Sequence, residues 1–535
     1  MNEFPASDAQ RRLWFIESCS ERQGAYAIAL AWRVDGGLDV DRLRECLGAL
    51  ARRHEALRTA FEEREGDLFQ RIADQVELPL ELGDAGSAPL HALVEQQLAR
   101  PFDFSHGPLL RAALVTADAG RVLVLCAHHL VVDGWSMGIL LRELAASYAD
   151  PRAALPPLRL QYADYAVWQR EAAASPAQLE RGLAFWGERL RGAPDVATLP
   201  LDRTRSAPLS DDGASVAIEW DAGQGEALRA LGRSRRASVF TVLAAGLAVL
   251  LEAHGGDGDH AIGYAAANRT HPELEDVVGL FVNTAVLRVR LAPQDRFVDV
   301  VDRVREDMIA AQPHEDVPFD RVVEHLRPAR RDDRTPLFQV MLALNNAGAQ
   351  RLRLGDATLT PLAQASGAAK FDLTLDLTEG PDAIVGALEY RTALFDRGTV
   401  ERLGRELQDL LARACSHPGL PIRDLTTVQP RVPAASVAAP ATVESGPTAG
   451  ADVAARLVPL WCGVLGVEAV APTDNFFDAG GSSLLVSRLA AAIRREFGIS
   501  PPVRMLYRSQ DFAHLAGLVD AIVTASRLAE TGATR

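Results

Sequence analysis

The sequence predicts a large α+β domain tethered to a small all-helical one. Three observations carry this reading. Strand-like and helix-like stretches alternate irregularly through residues 1–428, the pattern of sheets covered by helices. From Gln429 to about Gly450 the chain becomes rich in Pro, Ala, Ser and Gly and loses all apolar periodicity, which marks a flexible linker. Beyond it come three amphipathic stretches with no strand signal between them. A chain of 535 residues exceeds one ordinary core. The first domain is therefore expected to divide into two lobes, about 1–175 and about 176–428. The linker is expected over 429–451, the helical domain over 452–527 and a tail over 528–535.

Asp39–Arg53 places Val40, Leu43, Leu47 and Leu50 on one helical face. Leu110–Thr116 and Arg121–Ala127 read as strands joined by the turn Ala117-Asp-Ala-Gly120. Trp135–Ala149, Leu179–Leu190 and Gly223–Arg233 read as helices. Ser238–His254 is apolar almost all round, so it is expected to be a buried helix. Val286–Leu291, Leu337–Leu344 and Asp372–Leu377 read as strands. In the small domain the helices are expected at Val453–Val467, Ser483–Phe497 and Phe512–Ile522, joined by short loops into a bundle.

The net charge of −15 argues against nucleic acid as a partner. Arginine carries nearly all the positive charge, and Lys370 is the one lysine, which reads as base composition of the gene. The cysteines, Cys19, Cys46, Cys126, Cys415 and Cys462, are scattered and lack CxxC spacing. They suit reduced structural thiols and give no metal site. There is no basic, apolar leader and no stretch of membrane-spanning length, so the expectation is a cytoplasmic protein without membrane contact.

Chemistry concentrates at His128-His-Leu-Val-Val-Asp-Gly-Trp-Ser136, directly after the strand-like run Arg121–Ala127. His129 stands at the end of a buried strand, Asp133 lies four residues on, and Gly134 offers a backbone N–H. Acyl transfer needs a base or positioning group on a rigid mount and a donor for developing negative charge. A lone histidine at a strand end is more often structural, but here it is accompanied by a carboxylate and a glycine. Alternation along a strand turns His128 away from its neighbour, so His128 reads as structural.

This block resembles the His-His-x-x-x-Asp-Gly motif of the condensation domains of nonribosomal peptide synthetases and related acyltransferases. Six further segments resemble that family's motifs in family order: Ser7–Trp14, Arg53–Phe61, Tyr162–Trp168, Val278–Thr284, His314–Asp320 and Arg331–Gln339. The resemblance implies two lobes of chloramphenicol-acetyltransferase type facing across a tunnel, with His129 at its middle as the catalytic position. It implies that Asp133 is structural support, ion-paired with an arginine, for which Arg269 is the candidate. Gly134 is the candidate oxyanion N–H. Trp135, Ser136, Asn283 and Arg58 are candidates to line the tunnel, with packing as the alternative for Trp135 and Ser136, a buried structural amide for Asn283 and a packing arginine as the commoner role of Arg58. Asp474-Asn-Phe-Phe-Asp-Ala-Gly-Gly-Ser-Ser-Leu-Leu485 resembles the attachment motif of peptidyl carrier proteins. Its pattern Gly-Gly-x-Ser-Leu makes Ser483 the attachment point for 4'-phosphopantetheine and leaves Ser482 at the variable position. The plain reading of such a serine, a helix N-cap after a glycine turn, leaves Asp474–Phe477 unexplained.

The resemblance thus implies a condensation–carrier didomain that joins an upstream carrier-bound acyl or peptidyl thioester to an acceptor on its own carrier's arm. Epimerization domains carry a similar block but follow a carrier. Heterocyclization domains replace the histidines with aspartates, and oxygenase-recruiting domains carry a degraded block. No adenylation motif can be fitted, so the expected partners are an upstream carrier or synthetase module, a separate adenylation enzyme acting in trans, and a phosphopantetheinyl transferase. Two alternatives share the motifs: an ester-forming or free-amine acyltransferase that uses the carrier-bound acyl group as donor, and a non-catalytic carrier-docking module.

Overall fold

The computed structural model describes residues 2–19, 26–86, 89–118, 120–150, 155–172, 176–206, 210–328, 331, 333–345, 351–362, 367–380, 382–426, 451–476, 478–481, 483–499, 501–502, 505–506, 509 and 511–532. The linker expected at 429–451 lies outside them up to residue 450, as does Ser482.

Two six-stranded sheets organise the large domain. In the first, the order is Leu352–Leu354, Ala357–Pro361, Ala27–Asp35, Gly120–His128, Leu110–Ala117, Leu80–Asp84. The central strand Gly120–His128 is buried over its last seven residues because both its neighbours and both sheet faces are covered. The helix Val40–Arg53 packs on this lobe. Asp39 caps it by accepting the N–H groups of Asp41 and Arg42 at 3.0 and 3.1 Å.

The second sheet runs Asn283–Arg290, Asp259–Ala266, Val340–Asn345, Leu373–Glu379, Ile384–Arg391, Gly213–Trp220. Val216, Ile218 and Trp220 alternate inward under the helices Ala222–Ser234, Val239–Ala253 and Arg397–Ser416, while Ala217 and Glu219 on the other face are exposed. Val239–Ala253 is buried along most of its length, in line with its near-continuous apolar sequence. Among the described residues no single helix is long and apolar enough to cross a membrane.

The lobes are not contiguous in sequence, which corrects the simple division near residue 175. Strand Ala357–Pro361, from the second half of the chain, pairs onto Ala27–Asp35 with Leu359 opposite Val34, and Leu352–Leu354 pairs onto it in turn. Leu274, Val277, Val278, Leu280 and Phe281 also join the core of the first lobe. These crossovers fasten the lobes together on either side of the histidine block.

The small domain is helical: Ala451–Leu465, Ser483–Phe497 and Phe512–Gly532. The last helix continues to Gly532, so residues 528–532 are not a separate tail. Trp461 is fully buried, with Phe476 and Phe512 edge-on at 4.9 and 5.3 Å. The bundle rests on the helix Asp8–Cys19 of the large domain, whose Phe15 and Ile16 join the bundle's apolar core.

Close approach leaves no room at Gly263, where an added Cβ would overlap the Phe338 ring. Gly263→Ala is expected to cost about 1–3 kcal/mol through overpacking, read as a lower midpoint of thermal unfolding for the large domain.

Candidate active site

The strand Gly120–His128 ends by pairing His128 with Ala27. His128 is fully buried. Its Nδ1 accepts the Leu130 N–H at 3.2 Å, so Nε2 carries the proton and donates to Glu17 Oε1 at 3.2 Å. Phe104 lies edge-on to the ring at 4.7 Å. Burial pushes the His128 pKa down, against the pull of Glu17. This imidazole is a structural strut. Glu17, which also accepts the Tyr26 N–H at 3.1 Å, is a site residue that sequence reasoning missed.

His129 turns the other way and is partly accessible. Its backbone N–H donates to the Tyr26 carbonyl at 3.0 Å. Its Nδ1 lies 2.9 Å from the Val132 carbonyl and must be the protonated nitrogen, since a carbonyl only accepts. The Nε2 lone pair is thereby left free. Burial, then the Lys370 ammonium, then His128 push the pKa down to about 3. The ring is therefore neutral at physiological pH and presents an acceptor.

Asp133 mounts the block. Its Oδ1 accepts the Ser136 N–H at 2.7 Å and so caps the helix Gly134–Ala149. Its Oδ2 accepts the Phe281 N–H at 3.0 Å. Arg269 Nη2 stands 3.3 Å from Oδ1, with both side chains almost wholly buried. Arg269 also donates to the carbonyls of Leu274 and Val277, and its guanidinium lies 4.1 Å over the Phe281 ring. One carboxylate thus ties the helix cap to the 269–281 loop.

Gly134 is the first residue of its helix, where backbone N–H groups have no intrahelical acceptor. A Cβ there would stand 3.0 Å from Asn345 Oδ1, so glycine permits a close approach by the second lobe. Asn345 in turn donates to Asp376 Oδ1 at 2.9 Å.

The structure gathers His128, His129, Asp133, Gly134, Trp135, Ser136 and Arg269 in one place. Trp135 keeps 40% of its surface exposed and donates from Nε1 to the Glu275 carbonyl at 2.9 Å. Three tunnel candidates are corrected. Ser136 is fully buried, its hydroxyl donating to the Gly279 carbonyl at 2.8 Å and accepting from the Gly279 N–H and Arg269 at 3.0 Å each. Asn283 is saturated by the loop before Phe319–Leu326: it donates to the carbonyls of Glu315 and Val317 at 2.8 and 2.6 Å and accepts the Phe319 N–H at 3.3 Å. Arg58 is bound to the Ala73 carbonyl and Glu55. These polar groups hold backbone together and have little left for a substrate.

His129, Lys370 and Asp376 share an unusual combination. His129 and Lys370 are half-buried and Asp376 is exposed, yet desolvation shifts the pKa of each, with Asp376 raised to about 6. Sequence reasoning missed Lys370 and Asp376 because no local pattern marks them.

In the small domain, the loop before the helix Ser483–Phe497 is held by the Gly481 N–H donating to the Phe476 carbonyl at 2.8 Å. Gly480 adopts φ +99°, open to glycine, and a Cβ at Gly481 would strike the Phe476 ring. These residues place Ser483 in the first turn of a 15-residue helix. The unpaired N–H groups and dipole of that turn suit a phosphodiester, so the site fits 4'-phosphopantetheine.

Comparison with known proteins agrees with this geometry. The condensation-domain model matches residues 1–434, and the phosphopantetheine-attachment-site model matches residues 455–519. Malpinin synthetase of Mortierella alpina is 41% identical over 412 residues, covering 75% of this chain and 5% of that protein. Phosphinothricin tripeptide synthetase PhsC of Streptomyces viridochromogenes is 39% identical over 430 residues, covering 78% of this chain and 39% of that one. The crystal structure of the X-domain from teicoplanin biosynthesis superposes with a TM-score of 0.69 at 30% identity, covering 78% of this chain and 96% of that one. The chain belongs to the condensation-domain family and carries a phosphopantetheine attachment domain. It spans well under half the length of the curated relatives it matches here.

Two outcomes are expected. Asp133→Ala strands the buried Arg269 charge and should cost about 3–5 kcal/mol in denaturant unfolding, with part of the loss recovered in the Asp133→Ala/Arg269→Met double variant. In ¹⁵N-histidine NMR at pH 6, His129 should remain neutral and Nδ1-protonated. An imidazole held low binds its proton in the unfolded chain first, so its contribution to stability is complete above about pH 6.5 and falls as pH drops toward 3.

Proposed function

We propose that this chain forms an amide between an acyl or peptidyl thioester on an upstream carrier and an acceptor amine carried on the phosphopantetheine arm of its own Ser483. The observation that carries the reading is the free Nε2 lone pair of His129, a half-buried ring whose tautomer is fixed by the Val132 bond. When bound, phosphopantetheine supplies a thiol that holds the building block as a thioester. The helix turn at Ser483 anchors the arm's phosphate end. The contact of the bundle with Asp8–Cys19 keeps the arm's root against the lobe that carries His129.

The acceptor nitrogen attacks the donor carbonyl, a C–N bond forms, and the carbonyl C–S bond breaks. The donor arm leaves as a thiolate, and the proton that the attacking nitrogen loses balances the one the thiolate takes up. His129 Nε2 accepts one N–H of the amine and so aims its lone pair at the carbonyl. With a pKa near 3 the imidazole is a weak base, which favours positioning over early proton abstraction. Gly134 N–H is the proposed donor to the developing oxyanion. Asp133 and Arg269 hold the mount.

A separate adenylation enzyme is proposed to load the carrier, and a phosphopantetheinyl transferase to modify Ser483, in the cytoplasm. With Ser483 charged by an aminoacyl group and an acylated donor carrier added, intact mass should show this chain gaining the acyl group. His129→Ala should slow that gain by about 10²-fold or more. Loss of the building block to a soluble amine or alcohol would instead indicate the free-acceptor acyltransferase. No transfer, with His129→Ala the same as wild type, would leave the docking module.

A further inference from the structure

On the face of the second sheet turned away from the helices Val239–Ala253 and Arg397–Ser416, strand register places Ala343 and Asn345, Thr374 and Asp376, and Ala387 and Glu389 together. Asp376 is flanked in register by Ala343 and Ala387 and is exposed. Its one hydrogen bond comes from the neutral Asn345 amide, and it forms no ion pair among the described residues. Enclosure and the neighbouring Glu389 raise its pKa more than Lys370 lowers it.

Lys370 does not satisfy this carboxylate. Glu389 exerts the largest attraction on the Lys370 ammonium, which sits 4.4 Å over the Tyr26 ring. Three carboxylates, Glu389, Asp376 and Glu17, thus share one ammonium, which leaves negative charge in excess around Asp376. Asp376 also belongs to the site. Asn345 stands between it and Gly134, and Lys370 acts on both Asp376 and His129. Lys370 is drawn as well to Glu17, on the helix whose Phe15 and Ile16 bear the carrier bundle. This part of the channel therefore lies toward the chain's own carrier.

We propose that Asp376 is a specificity-determining residue that selects an acceptor building block with a cationic side chain, an amine or a guanidinium. The proposal rests on the reading that the acceptor arrives on Ser483's arm. A cation entering beside Asp376 gains Coulomb energy from a carboxylate that has no ion pair among the described residues, whereas a neutral side chain gains none.

The test compares ornithyl, norvalyl and glutamyl groups on the wild-type chain's phosphopantetheine arm with one acylated donor carrier. The readout is the ratio of ornithyl to norvalyl transfer, each measured with the same protein so that partial unfolding cancels. Wild type should favour ornithyl by about tenfold or more. Asp376→Asn should bring the ratio to about one, and Asp376→Lys should turn the preference toward glutamyl. Equal ornithyl and norvalyl transfer by wild type, or an unchanged ratio in Asp376→Asn, would overturn the assignment of Asp376 while leaving the amide-forming reading intact. Absence of transfer from every acceptor would overturn both.

Discussion

The site depends on one buried carboxylate. Asp133 caps the helix Gly134–Ala149, accepts the Phe281 N–H and meets Arg269, so the helix start and the sequence-distant 269–281 loop are fixed by two oxygen atoms. A buried ion pair adds little net stability, because desolvation offsets the attraction. What it gives is geometry. With the cap fixed, the Leu130–Val132 turn is fixed, and the Val132 carbonyl meets His129 Nδ1. The tautomer of His129, and hence the acceptor offered by Nε2, follows from a carboxylate that need not touch substrate.

The two histidines divide the labour by opposite means. His128 spends both ring nitrogens on the protein, one on Leu130 and one on Glu17. His129 spends only Nδ1. Desolvation keeps His129 neutral, and the Lys370 ammonium adds to that effect. Lys370, the one lysine in the chain, thus has a place in the site's electrostatics that its rarity alone did not suggest.

Local pattern made much of this legible. The run Arg121–Ala127 announces a buried strand, the apolar spacing in Asp39–Arg53 and Ser238–His254 announces helices, and the spacing His-His-x-x-x-Asp-Gly announces the block. What stayed hidden is non-local. Nothing near Leu352–Pro361 says that it will pair with Ala27–Asp35 in the other lobe. Glu17 lies 111 residues from His128, and no period connects them. For Ser136, Asn283 and Arg58 the sequence left tunnel and packing roles both open for the same reason: a polar residue in a motif looks available until its backbone partners are seen. Lys370 and Asp376 lie near or on a strand that reads as ordinary alternation, and only the lobes' meeting brings Lys370 into the field of His129 and brings Asp376, through Asn345, toward Gly134.

The most direct measurement is a crystal structure of the chain with a non-hydrolysable aminoacyl-pantetheine amide on Ser483. The account expects the arm to enter the channel between the lobes and the acceptor nitrogen to lie about 3 Å from His129 Nε2. An arm lying outside that channel, or an amine directed away from His129, would contradict it.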